Sequence, residues 1–420
     1  MKHGTLKSNF IWNTIGSLVL YGCQWAVSIL VVNLSSGAAS SNVGLLQLAI
    51  TVTNTFVSVA SYGMRSFQVS DMQQKYATAE YVRSRIITCV AAFGACGVFC
   101  AVLSYSAVQT LTILLYLTYR LTESISDVFH GAAQKHDRMD IIGKSYILRA
   151  VAGTAAFVIT LKITNNIPLT VALMCLAAYT VLFVYEIPAC RAFYDGVRRV
   201  QHGMVERLLL ECLPLAIYTF LNTAIASTPK LFLEKIAGEE MLGIFNTVTS
   251  PVLLLQTAAT YLFVPLITHF AYAYANGDKK KFHKMLWLVL GMLLAMLPAG
   301  LLVVRYLGVW GLNLLYPAKG MDAYLYLLYP MVLASVLTAC VLFFSMILTI
   351  MRAMRWLIAA NVAGIVVAVA CSTPLIAAWE MQGTNYAMIL SLFTQAVLLF
   401  IAILVRGGSH FKKEFAANDG

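Results

Sequence analysis

The stretch LLYLTYRLTESISDVFHGAAQ, residues Leu114–Gln134, combines the apolar pattern of a membrane helix with charges that such a helix rarely carries. Arg120, Glu123, Asp127 and His130 lie three or four residues apart, so they share one helical face. A charge that faces lipid at the middle of a bilayer costs at least ~2.5 kcal/mol. We therefore expect this face to point toward protein or a water-filled cavity.

The composition of the 420-residue chain places it among membrane proteins. It is 60% hydrophobic and 11% charged, with a mean hydropathy of +0.79, whereas soluble domains are about 25% charged. About twelve apolar segments are each long enough to cross ~30 Å of hydrocarbon. They cover residues 8–33, 42–62, 84–105, 107–131, 142–161, 167–189, 207–230, 242–272, 282–305, 323–351, 355–378 and 384–405. We predict an all-α integral membrane protein with little room for a soluble catalytic domain.

Lysine and arginine residues predict the orientation, because cytoplasmic loops carry an excess of them. With a cytoplasmic amino terminus, the outer side holds five of the 29, namely Lys162, Lys230, Lys235, Arg305 and Lys319. Arg120 and Arg149 lie within spans, and the others fall on the cytoplasmic side. Both termini are therefore predicted to be cytoplasmic. The net charge of +11 then reflects loops beside an anionic leaflet, and we expect no nucleic-acid partner.

A weak internal repeat predicts two similar halves. NVGLLQLAITVTNTF (42–56) resembles MLGIFNTVTSPVLLL (241–255), about half a chain later. The offset is an even number of spans, so the two halves share one orientation, as in transporters built from parallel repeats. We predict a six-helix bundle over residues 1–206, which contains the polar stripe, and a second one over residues 207–420.

Two interpretations of the buried charges remain open. The fifth span places Arg149 at a depth similar to that of Arg120 or Glu123, and Glu186 lies low in the sixth span. In the structural interpretation, Arg120 pairs with Glu123 and Arg149 with Asp127, and these pairs only fix helix packing. In the functional one, the charges line a cavity that binds an ionic ligand or relays protons. Buried pairs are often neutral for stability, which favours a functional role.

No pattern typical of an enzyme is present. The seven histidines are scattered, and neither a metal-ligand cluster nor a nucleophile–base pair occurs. The first outer loop, SSGAASSN, has no charge, and the longest outer segment, about 306–322, has one lysine and one aspartate. Both argue against a membrane-embedded glycan polymerase or glycosyltransferase, which needs acidic or basic residues on its outer loops. We expect a protein that is not an enzyme and that needs no cofactor or metal.

Three segments resemble bacterial polysaccharide flippases of the Wzx type. They are YGMRSFQVSDMQQKY (62–76), RLTESISDVFHGAAQKHDRMDIIGKSYILRAV (120–151) and STPKLFLEKIAGEEMLGIFNTVTSPV (227–252). These flippases belong with the MATE multidrug antiporters in the MOP superfamily. The similarity covers about the first 285 residues, and the remainder matches in the number of spans.

The resemblance implies a fold, a substrate and a location. The fold would be a V-shaped, MATE-like pair of six-helix bundles around a cationic cavity. The substrate would be an oligosaccharide linked to polyprenyl (undecaprenyl) pyrophosphate, moved from the inner to the outer leaflet by alternating access for cell-surface polysaccharide biosynthesis. The location would be the bacterial cytoplasmic (inner) membrane. Membrane lipids, H⁺ or Na⁺ and other polysaccharide-assembly proteins are the implied partners.

Arginine is the side chain best suited to a pyrophosphate group, because its forked donors match phosphate oxygens. Arg120 and Arg149 are placed for this role near the midplane, and Arg65 lies at the cytoplasmic mouth. The expected substrate-binding residues are Arg120, Arg149, Arg65, Tyr116, Glu123 and Asp127. The candidates for ion coupling are Glu123, Asp127, Glu186 and His130.

The main alternative is a MATE-type, cation-coupled multidrug antiporter. A pocket for cationic drugs should be acidic and aromatic and should lack a central arginine. Arg120 and Arg149 therefore argue against this alternative.

Overall fold

The computed structural model describes residues 6–35, 39–71, 75–193, 203–263, 266–317 and 319–418. The regular secondary structure of this described part is helical, without strands. The chain divides into two compact units, Met1–Thr223 and Ala224–Gly420.

The first unit contains eight α-helices and the beginning of a ninth. They are α1 (Leu6–Leu34), α2 (Ala39–Ser61), α3 (Met64–Ser70), α4 (Thr78–Val102), α5 (Ala107–Lys135), α6 (Met139–Thr164), α7 (Ile167–Val181), α8 (Ile187–Cys190) and α9 (Met204–Ala237). A π-helical turn, Leu182–Glu186, joins α7 to α8. Such turns insert an extra residue into a helix and thereby rotate the side chains that follow.

Helix α5, which carries the polar stripe, begins where the sequence supplies a capping box. The Ser106 side chain accepts a hydrogen bond from the Gln109 amide at 3.2 Å, and the Gln109 side chain accepts one from the Ser106 amide at 2.9 Å. This reciprocal pair satisfies two amides that the first turn of a helix otherwise leaves unbonded. The helix then continues for 29 residues without a proline.

Glycines bring α1 and α6 into close contact. A Cβ atom at Gly16 would lie 2.5 Å from the backbone of Gly143, and one at Gly143 would lie 2.1 Å from the Trp12 carbonyl oxygen. Membrane helices associate by such packing, because lipid supplies no hydrophobic driving force between them. The contact fixes α6, and with it Arg149, against the first helix of the unit.

The second unit contains the end of α9 and six further helices. They are α10 (Glu239–Thr249), α11 (Leu253–Phe263), α12 (Ile267–Ala275), α13 (Lys279–Leu315), α14 (Leu328–Ile350) and α15 (Met354–Asn418). A 3₁₀ turn at Ser250–Val252 separates α10 from α11, and it contains Pro251, which cannot donate a backbone hydrogen bond. Glu380, at a φ of 47°, divides α15 into two arms.

The helices of the described residues account for the predicted membrane spans. Nine of them are long and apolar enough to cross a membrane. The predicted span 107–131 lies in α5, the spans 355–378 and 384–405 lie in the two arms of α15, and the segment 242–272 covers α10 to α12, so the predicted segments fall on helices. The eighth predicted span, 242–272, is broken into several helices rather than continuous. Its proline supplies the physical reason for the break after α10.

Candidate functional site

The stripe on α5 contains both buried and accessible side chains. Tyr116 and His130, near its two ends, are buried, with 7% and 1% of their surface exposed. Arg120, Glu123 and Asp127 between them keep 19%, 21% and 23% of their side-chain surface accessible. The predicted polar face is therefore present, and its central carboxylates and arginine are the members that a ligand can reach.

The stripe belongs to a larger set of charges in the first unit, which we call the arginine–carboxylate cluster. It consists of Arg65, Arg85, Arg120, Arg149, Glu123, Asp127 and Glu186. Four elements besides α5 contribute charged residues to it: α3, α4, α6 and the π-helical turn. Four guanidinium groups face three carboxylates, so the cluster carries one more positive than negative charge.

The excess positive charge lies around Asp127, because two arginines contact this one carboxylate. Its Oδ1 lies 2.9 Å from Nη1 of Arg65, and its Oδ2 lies 3.6 Å from Nη2 of Arg85. The Arg65 side chain is 28% exposed, whereas that of Arg85 is 1% exposed. One carboxylate thus holds two arginines, one on the accessible side and one on the buried side.

Backbone geometry directs Arg65 toward Asp127. Tyr62 and Gly63 both adopt positive φ angles, 51° and 62°, which end α2 and begin α3. Met64 then packs in a buried cluster with residues of α5 and α9, and this leaves Arg65 beside the stripe. Arg65 also donates hydrogen bonds to the Tyr146 hydroxyl at 3.2 Å and to the Gln134 side chain at 3.3 Å.

Arg85 is held from the buried side by α2. Its Nη1 donates a hydrogen bond to the Ala60 carbonyl oxygen at 2.7 Å, and the Thr88 hydroxyl donates to the same oxygen at 2.9 Å. Its Nε and Nη2 have no hydrogen-bond partner among the described residues. Arg85 therefore places a fixed positive charge beside Asp127, and its Nε and Nη2 groups remain able to donate hydrogen bonds.

Arg120 and Glu123 form the ion pair that their spacing predicts. Arg120 Nη1 lies 3.4 Å from Glu123 Oε2, and the Gln24 side-chain amide of α1 donates a hydrogen bond to Glu123 Oε1 at 2.9 Å. The Arg120 Nε has no hydrogen-bond partner in the described part of the chain. The pair is loose enough to leave guanidinium donors for another acceptor.

Arg149 pairs with Glu186, and the predicted pairing with Asp127 is wrong. Arg149 Nη2 lies 2.6 Å from Glu186 Oε1, and the two side chains are 1% and 0% exposed. The hydroxyls of Ser126 and Ser145 complete the cluster, each hydrogen-bonded to Glu186. The π-helical turn, which ends at Glu186, brings the carboxylate to α6. Arg149 is therefore enclosed by protein and has no accessible surface for a ligand.

His130 links the buried ion pair to the accessible charges. Its Nε2 lies 3.2 Å from the Ser145 hydroxyl, and its ring packs edge-on against Tyr146 with centroids 5.1 Å apart. Tyr146 in turn accepts the hydrogen bond from Arg65. The cluster is thus continuous from Glu186 to Asp127 through named contacts.

A separate group of charges joins the loop before α4 to α9. Lys75 Nζ lies 2.6 Å from Glu211 Oε1, and Arg207 Nε lies 3.2 Å from the same oxygen. The hydrogen bond to Glu211 raises the pKa of Lys75. These side chains are more exposed than those of the arginine–carboxylate cluster.

Sequence reasoning missed five residues that shape the cluster: Arg85, Gln24, Ser126, Ser145 and Tyr146. Arg85 was counted among the cytoplasmic charges at the edge of the predicted span 84–105, whereas α4 already begins at Thr78 and Arg85 is buried. Ser145 lies four residues before Arg149 on the same face of α6, a spacing that was available as a signal. No group of three metal-ligating side chains occurs among the described residues.

Solved membrane-transporter structures share this fold. An inward-facing multidrug resistance MATE family transporter of the MOP superfamily aligns with a TM-score of 0.70, covering 96% of this chain and 99% of that one at 10% identity. A MOP superfamily transporter from Pyrococcus furiosus, described by the reverse polarity of its binding pocket, aligns with a TM-score of 0.60 at 13% identity. That alignment covers 95% of this chain and 94% of the other.

One relative is similar in sequence, over a smaller part of the chain than the solved structures. The capsular polysaccharide biosynthesis protein CapF of Staphylococcus aureus is 20% identical over 285 residues, which are 67% of this chain and 69% of that protein. No protein-family profile matches the chain. The structural likenesses define the fold: this is a multi-pass membrane protein with a MATE-like fold.

Proposed function

We propose that the protein is a flippase for oligosaccharides linked to polyprenyl (undecaprenyl) pyrophosphate. It would move them from the inner to the outer leaflet of a bacterial cytoplasmic membrane by alternating access, for the biosynthesis of a surface polysaccharide. Support comes from the resemblance to CapF, which is described as a capsular polysaccharide biosynthesis protein. Transporters with this fold are known in inward-facing and outward-facing conformations, which supports alternating access.

The observation that carries the proposal is the pair of arginines on Asp127. Arg65 and Arg85 bring two positive charges to one carboxylate. A pyrophosphate supplies the negative charge that this arrangement lacks, and guanidinium donors bind phosphate oxygens in pairs. Arg65 is the accessible member, so it would contact the head group directly, and Arg85 would add its charge from behind Asp127.

The other predicted substrate-binding residues divide into two groups by accessibility. Arg120 and Glu123 are partly exposed and would contact the head group or sugar hydroxyls. Tyr116 is buried on the same helix, and its ring centroid lies 5.6 Å from that of Tyr119. It would pack α5 against its neighbours rather than contact the substrate. Arg149 would position α5 and α6 rather than bind substrate, since Glu186 and two serines surround it.

Asp127 and Glu123 are the proposed sites for a coupling H⁺ or Na⁺. Both are carboxylates with accessible surface and with an arginine partner that a substrate phosphate would compete for. Binding of the head group to Arg65 would weaken the hold of that arginine on Asp127 and change the affinity of Asp127 for a cation. Glu186 and His130 are buried and would take part only through the contacts that connect them to Tyr146.

A MATE-type multidrug antiporter is the second candidate, because structures of such transporters share the fold. The two functions require cargo of opposite charge. The cluster in this chain has an excess of arginine over carboxylate, which favours anionic cargo. The fold itself accommodates both, as the Pyrococcus furiosus transporter with a binding pocket of reverse polarity illustrates.

Lipid analysis of the native host after depletion of this protein tests the proposal. We expect a polyprenyl-linked oligosaccharide to accumulate and to disappear when the wild-type gene is restored. If lipid-linked sugars are unchanged and sensitivity to cationic drugs increases, the flippase function is rejected and the antiporter function is supported instead. Both readouts come from one depletion strain, so a single experiment separates the two functions.

A further inference from the structure

A neutral side chain holds the short helix that carries Arg65. Gln68, which follows Arg65 on α3, is 2% exposed, and its Nε2 donates a hydrogen bond to the Val128 carbonyl oxygen of α5 at 3.1 Å. Val128 comes directly after Asp127, the carboxylate that Arg65 contacts. Because Arg65 and Gln68 are three residues apart, they share one face of α3, and this face contacts neighbouring positions of α5.

The surface of α5 has room for the amide of Gln68. A Cβ atom at Gly131 would lie 2.4 Å from Oε1 of Gln68 and 2.7 Å from its Cδ. These distances are below van der Waals contact, so the close approach of the amide requires a glycine at this position. Gly131 lies four residues after Asp127 on the same face of α5. The contact therefore combines a hydrogen bond with a close fit, beside the ion pair of Arg65.

The position of α3 depends on such contacts, because the helix is short. It spans seven residues, and isolated helices of fewer than about 12 residues are marginal in water. Tyr62 and Gly63, with positive φ angles, separate it from α2. Met64 packs with the side chain of Val128 in the buried cluster described above. The docking of α3 on α5 thus determines where Arg65 lies.

The ion pair of Arg65 cannot maintain this docking during substrate binding. A head-group phosphate would take guanidinium donors that Asp127 holds in the structure, and Asp127 would keep Arg85 as its partner. While Arg65 binds the phosphate, its ion pair no longer joins α3 to α5. The hydrogen bond of Gln68 to the Val128 carbonyl involves no charge that the phosphate competes for, so it persists through the exchange.

We propose that Gln68 is a positioning residue that keeps α3 on α5 while Arg65 exchanges Asp127 for the substrate phosphate. The inference rests on the proposed function for the identity of the anion, and it adds the contact that keeps Arg65 within reach of it. Gly131 is the position of α5 that receives the amide. Without this contact α3 would be docked for only part of the time, and the affinity for the head group would fall by that fraction.

Two substitutions disrupt the contact in opposite ways. Gln68→Met keeps an unbranched side chain of similar length but removes the donor, whereas Gly131→Ala keeps the donor and fills the space that the amide occupies. Both variants should fold. The Val128 carbonyl lies within α5 and keeps its bond inside that helix, and alanine is favourable in a helix. The atoms nearest to an added Cβ at Gly131 belong to the end of a flexible side chain, which can move aside.

Matched controls lie on α2 and α4. Gln47 of α2 is 4% exposed, and its Nε2 has no hydrogen-bond partner among the described residues. Gln47→Met therefore removes a buried amide of the same unit without removing a hydrogen bond that its Nε2 donates. Gly97 of α4 has no atom within 4 Å of an added Cβ, so Gly97→Ala adds the same methyl group without displacing a side chain.

The first experiment measures hydrogen–deuterium exchange of the full-length protein in phospholipid nanodiscs without substrate. We expect amides of residues 64–71 to exchange about threefold faster or more in Gln68→Met and Gly131→Ala, because a released short helix loses protection. Both controls should exchange like the wild type, and the peptides of α5 should be unchanged in all variants. Wild-type exchange of α3 in either Gln68→Met or Gly131→Ala would overturn the proposal.

The second experiment measures binding of undecaprenyl pyrophosphate in the same nanodiscs by native mass spectrometry, as a double-mutant cycle. Gln68→Met should weaken binding about fivefold and Arg65→Ala about tenfold or more, since losing the position of a contact costs no more than losing the contact. In the Arg65→Ala background, Gln68→Met should weaken binding no further, because Gln68 acts through Arg65. A further loss of about fivefold in that background would overturn the positioning role, because a general structural defect would act without Arg65.

The two experiments separate failure of this inference from failure of the proposed function. If the wild-type protein does not bind undecaprenyl pyrophosphate and depletion leaves lipid-linked sugars unchanged, the proposed function and the substrate named here are rejected. The exchange of α3, which is measured without substrate, still decides whether Gln68 positions this helix. If lipid-linked oligosaccharide accumulates on depletion but α3 exchanges alike in all variants, the role of Gln68 alone is rejected.

Discussion

Arg149 and Glu186 form an ion pair that is sealed from solvent, with Nη2 of the arginine 2.6 Å from Oε1 of the carboxylate and side chains 1% and 0% exposed. Asp127 and Arg65, in the same cluster, form a pair of similar length whose side chains are 23% and 28% exposed. The two pairs therefore have different physical tasks. The sealed pair can fix helices, while the accessible pair can exchange partners with a ligand.

Replacing Arg149 with alanine should destabilise the protein strongly. Glu186 would remain buried without a positive partner, and breaking one side of a buried pair costs about 3–5 kcal/mol. We expect a large drop in the unfolding temperature of the purified protein, measured in detergent by size-exclusion chromatography after heating. The double variant Arg149→Met/Glu186→Leu should recover much of the loss, because it removes both charges.

An unfolding temperature of Arg149→Ala close to that of the wild type would contradict this structural role. Arg83 supplies the control, because it is an exposed arginine of α4. Arg83→Ala removes the same side chain without leaving a buried carboxylate, and surface substitutions usually change stability by no more than about 0.5 kcal/mol.

Replacing Arg65 with alanine should impair transport far more than stability. Asp127 keeps Arg85 as a partner, and a partly exposed pair contributes only about 0–1 kcal/mol. A lost charge-assisted contact to the substrate phosphate costs about 1.5–3 kcal/mol, which slows transport by about tenfold or more. The measurement is clearance of accumulated lipid-linked oligosaccharide after re-expression in a depleted strain.

Arg83→Ala again serves as the control and should clear the lipid at the wild-type rate. Equal clearance by Arg65→Ala and Arg83→Ala, at matched protein levels, would show that Arg65 does not bind the head group. Arg65→Lys should fall between the alanine variant and the wild type, because lysine keeps the charge but not the forked geometry.

Exchanging Arg120 and Glu123 should separate their structural role from their role in binding. Arg120→Glu alone places two carboxylates together, at a cost on the order of 1–4 kcal/mol in this poorly solvated setting. The double exchange Arg120→Glu/Glu123→Arg restores an ion pair and should restore the unfolding temperature. Transport should stay low, since the guanidinium is displaced by three positions along α5. Full recovery of transport would mean that transport requires the ion pair but not a guanidinium group at position 120.

The spans were predictable from the sequence because membrane helices depend on local apolar runs. Helix α5, for example, extends over Ala107–Lys135 where residues 107–131 were expected. The polar face of this helix was also predictable, because the periodicity of Arg120, Glu123 and Asp127 is a local property. The interruption after α10 was not predicted, since proline occurs in continuous membrane helices too.

The partners of the charges were less predictable because they depend on tertiary contacts. The i, i+3 pair of Arg120 with Glu123 follows from helix geometry alone. The contact of Arg149 with Glu186 depends on the π-helical turn that ends at Glu186, which apolar periodicity does not reveal. The contact of Arg85 with Asp127 was not predicted, because Arg85 lies at the edge of the expected span 84–105 and was counted with the cytoplasmic charges.

The close contact of α1 with α6 predicts opposite effects for two Gly→Ala substitutions. In a helix interior, alanine is more favourable than glycine by about 1 kcal/mol, so Gly94→Ala, with nothing within 4 Å of the added Cβ, should stabilise the protein or leave it unchanged. Gly143→Ala would bring a Cβ to 2.1 Å from the Trp12 carbonyl oxygen, and backbone cannot move aside as a side chain does. The resulting separation of the helices should cost about 1–3 kcal/mol, as overpacking does elsewhere. Unfolding temperatures of the two purified variants measure the difference, and a Gly143→Ala protein as stable as Gly94→Ala would show that α1 and α6 do not meet at these glycines.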